Sequence, residues 1–252
     1  MLEQTSARAA PPPLDDAIAL FLDVDGALLP FANTPDGVKV PPSLATRLHS
    51  LYERLDGALA LVSGRRIDTL DALFAPLRLP CAGLHGLERR HGDKVEQAPV
   101  ASAEALARVR EAGLRVAEKY DGALVEDKGP AIAFHWRGDE LAAADFEGLA
   151  AMAVMELPGY HLQYGNRVVE LKPQGADKGT AIGAFLQETP FAGRMPVFVG
   201  DDLTDEYGFE VVNLRGGVSV LVGPREPSVA RYALHDVAAV HRWLGVASEV
   251  AA

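Results

Sequence analysis

The chain is poor in cysteine, in basic residues and in long apolar runs, and each shortage removes a class of answers. Cys81 is the only cysteine, so an internal disulfide and a cysteine-built zinc cluster are both excluded. Lysine and arginine number 24 against 35 acids, a net charge of -11, which argues against generic binding of nucleic acid or of an anionic membrane. An anionic small substrate stays open, provided that a metal ion and local Lys or Arg invert the field where it binds. No apolar run approaches the length that spans a bilayer, and the start, MLEQTSARAAPPP, lacks the basic-then-apolar pattern of a signal peptide. The expectation is a soluble monomer of a reducing compartment, most simply the cytoplasm.

What is present centres on Leu20-Phe21-Leu22-Asp23-Val24-Asp25-Gly26. An apolar run stops abruptly at two carboxylates one residue apart, followed by glycine. A buried parallel strand reads as such a run, and ligands of open α/β sheets sit beyond the strands' carboxyl ends. Two acids held close are costly unless a cation shares the site, and a hard divalent ion with oxygen ligands, most simply magnesium, is the economical partner. Taken alone, the segment fits a solvated turn after a strand equally well.

Residues 1–14 read as a disordered tail, polar and alanine-rich before three prolines. Ser43 is expected to cap a helix that carries Leu44, Leu48, Leu51 and Leu55 on one face. A second buried strand, 58–62, stops at Ser63-Gly64-Arg65-Arg66, and a short third strand follows Pro80. Between 99 and 172 the texture changes to helix, hairpin, helix, hairpin, with hairpin turns at Gly129-Pro130 and Gly165-Asn166. This stretch reads as an inserted α+β module. Parallel βα texture then resumes: Asp177-Lys178-Gly179 opens a helix, and a strand ends at Gly200-Asp201-Asp202-Leu203-Thr204-Asp205-Glu206. A fifth strand covers 218–222. The fold class expected is α/β, a doubly wound parallel sheet built from 15–98 and 173–252, with the module inserted.

Four polar clusters thus fall at strand or helix ends: Asp23 with Asp25, Ser63, Lys178, and Asp201 with Asp202. Each alone has a plain explanation in turn or surface chemistry; their conjunction meets the needs of phosphoryl transfer through an aspartate. A carboxylate attacks phosphorus, a second acid protonates the leaving alkoxide and later takes the proton of water, and cationic groups neutralise the phosphoryl oxygens.

The arrangement resembles the haloacid-dehalogenase superfamily of phosphatases. Its D-x-D-G pattern is Asp23-Val24-Asp25-Gly26, its serine Ser63, its lysine Lys178 and its paired acids Asp201 and Asp202. The stretches LVSGR, GLHGLE, EDKGPAIAFHWR, GNRVVELKPQGADKG and VFVGDDLTDE resemble trehalose-6-phosphate phosphatases. The resemblance implies a HAD-like core with a cap over 99–172 and hydrolysis of trehalose 6-phosphate through an aspartyl-phosphate. It implies Asp23 as nucleophile, Asp25 as general acid and base, and Ser63 and Lys178 on the phosphoryl group. It further implies magnesium on Asp23, the Asp25 carbonyl and Asp201, with Asp202 supporting the metal from behind. Ala27 departs from the family's usual threonine.

Strand alternation puts Glu126 with Lys128, His135 with Arg137, and Glu170 with Lys172 on one face of their strands, opposite Val125, Ile132, Phe134, Trp136, Val169 and Leu171. The resemblance assigns disaccharide hydroxyls to Glu126, Lys128 and Glu170, with His135, Arg137 and Lys172 beside them; Arg65 and His85 are candidates to line the cleft. Alternatives within the class are a phosphatase for sucrose or mannosyl-glycerate phosphates, or a phosphohexomutase. Outside it stand a receiver-like signalling domain and an inactive sugar-phosphate sensor.

Overall fold

The structure, a computed structural model, describes residues 8–31, 38–98, 101–136 and 140–247. In chain order its elements are β1 (Ile18–Leu22), α1 (Pro42–Arg54), β2 (Leu59–Val62), α2 (Ile67–Phe74), β3 (Cys81–Gly83), β4 (Glu88–His91) and β5 (Lys94–Gln97). There follow α3 (Ala103–Ala117), β6 (Ala123–Asp127), β7 (Ile132–Trp136), α4 (Leu141–Glu156), β8 (Tyr160–Gly165) and β9 (Val168–Pro173). The chain closes with α5 (Lys178–Phe185), β10 (Met195–Gly200), α6 (Glu206–Leu214), β11 (Val218–Val222), β12 (Tyr232–Leu234) and α7 (Val237–Leu244). They form two compact units, one from Met1–Glu96 with Asp177–Ala252 and one from Gln97–Ala176.

The first unit is built on an eight-stranded sheet of order β12-β11-β10-β1-β2-β3-β4-β5. Strands β12 to β3 run parallel, and β4 turns back antiparallel on β3. All five residues of β1 are buried, as a central parallel strand requires. Burying a side chain such as Leu20, Phe21 or Leu22 is worth roughly 1.5–3 kcal/mol, which helps to offset the charges just beyond them. The chain leaves β1 for β2 on one side and later returns to β10 on the other, so β1 stands at the topological switch point where open α/β sheets hold ligands.

Three local expectations change. Helix α1 starts at Pro42 rather than under a Ser43 cap; no side chain caps it, and proline's fixed φ suits a first helical position. Strand β12 was not legible from its half-buried Tyr-Ala-Leu. Of the tail expected over 1–14, residues 8–14 lie on the first unit without regular structure, tied down by Arg8 and by the Ala9 and Pro12 carbonyls; residues 1–7 lie outside the described residues. The two edges of the sheet differ: Ala233 of β12 donates to the Ala9 carbonyl at 3.0 Å, whereas β5 presents Lys94 and Glu96.

The second unit is a four-stranded antiparallel sheet, β6-β7-β9-β8, with α3 and α4 packed on one face. Ile132, Phe134, Trp136, Val169 and Leu171 meet Leu106, Val109, Ala142, Phe146 and Ala150 of the helices in a separate core. Phe134 and Phe146 stack at 5.3 Å between centroids. Ser102 caps α3 by accepting from Ala105 N. Among the described residues, no helix is long and apolar enough to cross a membrane.

Candidate active site

Parallel register brings three of the sequence's polar clusters together. Leu22 pairs with Val199 on one side and with Leu61 on the other, so the chain leaves β1, β10 and β2 at one level. Asp23 follows β1, Asp201 follows β10 and Ser63 follows β2. Lys178, the first residue of α5, completes the group; Asp177 caps that helix with Thr180 in a reciprocal capping box.

Lys178 Nζ lies 2.9 Å from Asp23 Oδ1 and 2.6 Å from Asp205 Oδ1, and all three side chains are nearly inaccessible. Burial works against the ammonium, but the carboxylates of Asp205 and Asp23 outweigh it and raise the lysine's pKa above its ordinary value. Burial pushes Asp23 well up from the usual carboxylate range; Lys178 opposes that, and Asp205 and Asp201 add to it. Asp201 is pushed up to about 7 by burial and by the charge of Asp205.

Asp23, Asp201 and Asp205 offer ligand oxygens within 4.8 Å of one another. Three carboxylates against one ammonium leave a negative excess that a divalent cation would balance. Asp201 Oδ1 supports that fit, because it is buried and has no hydrogen-bond partner among the described residues. Asp205 is less available as a ligand: Oδ1 takes Lys178, and Oδ2 accepts from the backbone N–H groups of Asp201 and Asp202 at 2.9 and 2.8 Å. It holds the lysine and the turn in place at once.

Two glycines leave room for these carboxylates. A Cβ on Gly26, whose φ is +85°, would fall 2.2 Å from an Asp201 carboxylate oxygen, and one on Gly200 would fall 2.3 Å from Asp205 Cγ. Asp25 is gripped at both oxygens by Arg65, with Nε and Nη2 each at 2.7 Å. Ser63 is buried, and its Oγ accepts from Arg65 N at 3.1 Å, while its carbonyl accepts from His85 N. His85 itself adopts φ 55° and lays its ring over Gly64.

The face of the second unit's sheet opposite its helices carries a different kind of cluster. Glu126 pairs across with Ala133, Ala133 with Glu170, and Glu170 with Gln163, so two carboxylates flank a small residue. Lys128 Nζ is 3.4 Å from Glu170 and 3.9 Å from Glu126; His135 Nε2 is 3.0 Å from Glu126. Lys172 is buried opposite His161 on the same face. Arg137 lies outside the described residues.

A model of the trehalose-phosphatase family matches residues 21–238. The chain belongs to that family. It is 45% identical over 215 residues to a probable trehalose-phosphate phosphatase of Sinorhizobium fredii, covering 84% of this chain and 80% of that one. It is 44% identical over 234 residues to the trehalose-6-phosphate phosphatase of Escherichia coli, covering 92% and 87%. The C-terminal domain of the trehalose-6-phosphate phosphatase from C. albicans shares the fold, with a TM-score of 0.77 at 20% identity over 97% of this chain and 100% of that one.

For a trehalose-phosphatase family member, the sequence reading brought forward most of what the geometry assembles. Asp23, Ser63, Lys178 and Asp201 converge, Asp25 stands beside them under Arg65, and Glu126, Lys128, His135 and Glu170 form one cluster. Asp202 is exposed, its backbone donating to Asp205. Asp205 was passed over as part of a turn; its signal was the spacing Gly-Asp-x-x-x-Asp, which a short 3-10 turn folds back onto Asp201. Arg225 was also missed, since nothing local marks an arginine that donates to the carbonyls of Asp201 and Asp202.

Proposed function

We propose that this trehalose-phosphatase family member hydrolyses trehalose 6-phosphate to trehalose and inorganic phosphate, with Asp23 as nucleophile. The observation that carries the reading is the buried Asp23–Lys178–Asp205 cluster beside Asp201, at the carboxyl ends of β1 and β10. Asp23 attacks phosphorus while the bond to the sugar oxygen breaks, and Asp25 gives that oxygen its proton. Asp25 then takes a proton from the water that attacks the aspartyl-phosphate, releasing phosphate and restoring Asp23. Lys178 and Ser63 bind the phosphoryl oxygens, and Arg65 holds the carboxyl of Asp25 in place. Magnesium would be held by Asp23, Asp201 and the backbone carbonyl of Asp25, and when bound it supplies positive charge to the phosphoryl oxygens.

Glu126, Lys128 and Glu170 are the groups of this chain suited to the sugar hydroxyls, with His135 and Lys172 around them and Arg137 next in line. A net charge of -11 and a single buried cysteine favour a cytoplasmic enzyme with a small-molecule substrate over a nucleic-acid partner. The test is phosphate release from trehalose 6-phosphate and a panel of other sugar phosphates, with and without magnesium. The expected result is magnesium-dependent release that strongly favours the disaccharide. Comparable turnover of several unrelated monosaccharide phosphates would sink the assignment.

A further inference from the structure

The acidic turn after β10 is held from two sides, and only one of them belongs to the cluster described above. The peptide linking Asp201 to Asp202 gives its N–H to Asp205 Oδ2 at 2.8 Å, and its carbonyl accepts from Arg225 Nε at 3.1 Å. Both ends of one peptide plane are therefore fixed. Arg225 also donates through Nη2 to the Asp202 carbonyl at 3.2 Å and, in a short contact, to Glu206 Oε1. Glu206 Oε2 in turn accepts from Val229 N at 2.8 Å.

The loop that carries Arg225 is itself fastened by a second arginine from the opposite end of the chain. Arg8 donates to the carbonyl of Ala230 at 2.7 Å, to that of Ser228 at 2.6 Å, and to both carboxylate oxygens of Glu226. Arg8 and Arg225 are both largely covered, at 18% and 24% side-chain exposure. Two arginines on loop carbonyls, each with a carboxylate partner, make a chain of planar, directional contacts that runs from residue 8 to the acidic turn.

We propose that Arg225 is a positioning residue for the cation site and that Arg8 supports it through the 226–230 loop. The buried, unpartnered Asp201 Oδ1 belongs to the residue whose own carbonyl Arg225 holds. If that peptide plane is free to rotate, the Asp201 carboxylate is no longer preorganised toward Asp23. Groups that orient metal ligands typically govern affinity by about 10–100-fold. The proposal rests on the reading of Asp23 and Asp201 as a cation site.

Magnesium binding to the full chain is measured by calorimetry, alongside thermal unfolding, for the wild type, Arg225→Met, Arg225→Lys and Arg8→Met. Arg47→Met serves as a control, since Arg47 anchors α1 to the Leu244 carbonyl rather than to the acidic turn or the 226–230 loop. Arg225→Met is expected to weaken magnesium by about 10–100-fold. Arg225→Lys should weaken it nearly as much, because an ammonium cannot reproduce the planar fork. Arg8→Met should shift it less, in the same direction, and remains informative if Arg225→Met fails to fold. Arg47→Met is expected to lower the melting temperature without moving the magnesium constant. Unchanged constants in all three test variants, or an equal loss in Arg47→Met, would overturn the brace while leaving the cation reading intact. Absence of binding heat in the wild type would overturn the cation reading, and the brace with it.

Discussion

The two units of this chain hold their charges in opposite ways. In the first, Asp23, Lys178 and Asp205 are buried at 2.6–2.9 Å separations, and burial raises the pKa of Asp23. In the second, Glu126, Lys128 and Glu170 sit on a sheet face at 3.4–3.9 Å, and Glu126 keeps 48% of its side chain exposed. Buried charges of the first kind are fixed before a ligand arrives, and preorganisation of that sort serves chemistry at a single atom. Looser charges that keep part of their surface in water, as Glu126 does, exchange water for hydroxyl groups at little cost, which suits recognition of a polyol. On this view, a chain separates reaction from recognition by how deeply it sinks its carboxylates.

The largest effect should come from the first unit. Asp23→Asn is expected to remove essentially all turnover of both trehalose 6-phosphate and an aryl phosphate in a folded protein, because an amide cannot attack phosphorus. More than a few per cent of activity in a cleanly folded variant would contradict the role.

Asp205→Asn comes next and tests whether depth matters more than contact. The amide keeps one acceptor oxygen, so it serves either Lys178 or the N–H groups of Asp201 and Asp202, while the loss of a negative charge relieves Asp23 and Asp201. Leaving a buried donor unpaired costs about 1–3 kcal/mol, and we expect that term to exceed the relief, giving a net loss of stability together with reduced turnover of both substrates. Denaturant unfolding with activity checks this; wild-type stability and wild-type turnover would show that Asp205 is dispensable.

Glu170→Ala and Lys128→Ala should affect the disaccharide and spare the aryl phosphate. Charged hydrogen bonds are worth roughly 1.5–3 kcal/mol each, or about ten- to hundred-fold in kcat/KM per residue. Equal losses on both substrates would make these residues part of the scaffold and erase the contrast between the units.

The smallest effect concerns a third arrangement, half-buried and fully paired. Arg89 and His91 on β4 hold Glu188, and its carboxyl is drawn down to about 2, chiefly by the Arg89 hydrogen bond. A carboxyl lowered in the folded state stabilises above its unfolded value of about 4.3 and loses that contribution as pH falls toward about 2. Glu188→Gln is therefore expected to lower the melting temperature at pH 7 by no more than roughly 2–4 °C, the gap narrowing below pH 4. A gap independent of pH would assign the effect to packing.

The legible part of the molecule was the part written in runs. Apolar segments that stop at Asp23, Ser63 and Asp201 marked the strand ends, and alternation separated Phe134 and Trp136 from His135. What escaped was written in neither runs nor alternation. Asp205 acts through a turn without periodicity, and Arg8 reaches residues 226–230 from a stretch whose composition resembles a tail. Strand β12 is three residues long and half-buried, so neither length nor pattern announced it.

The missing side chain at Gly26 has a mechanical consequence. Because a single carbon there would overlap the Asp201 carboxylate, the loop after β1 and the acidic turn mesh like two gear teeth. Segments from far apart in the chain thus constrain each other's side chains at this point. Gly26→Ala should spoil magnesium affinity without touching a single charge, and wild-type affinity in that variant would show that there is play between them after all.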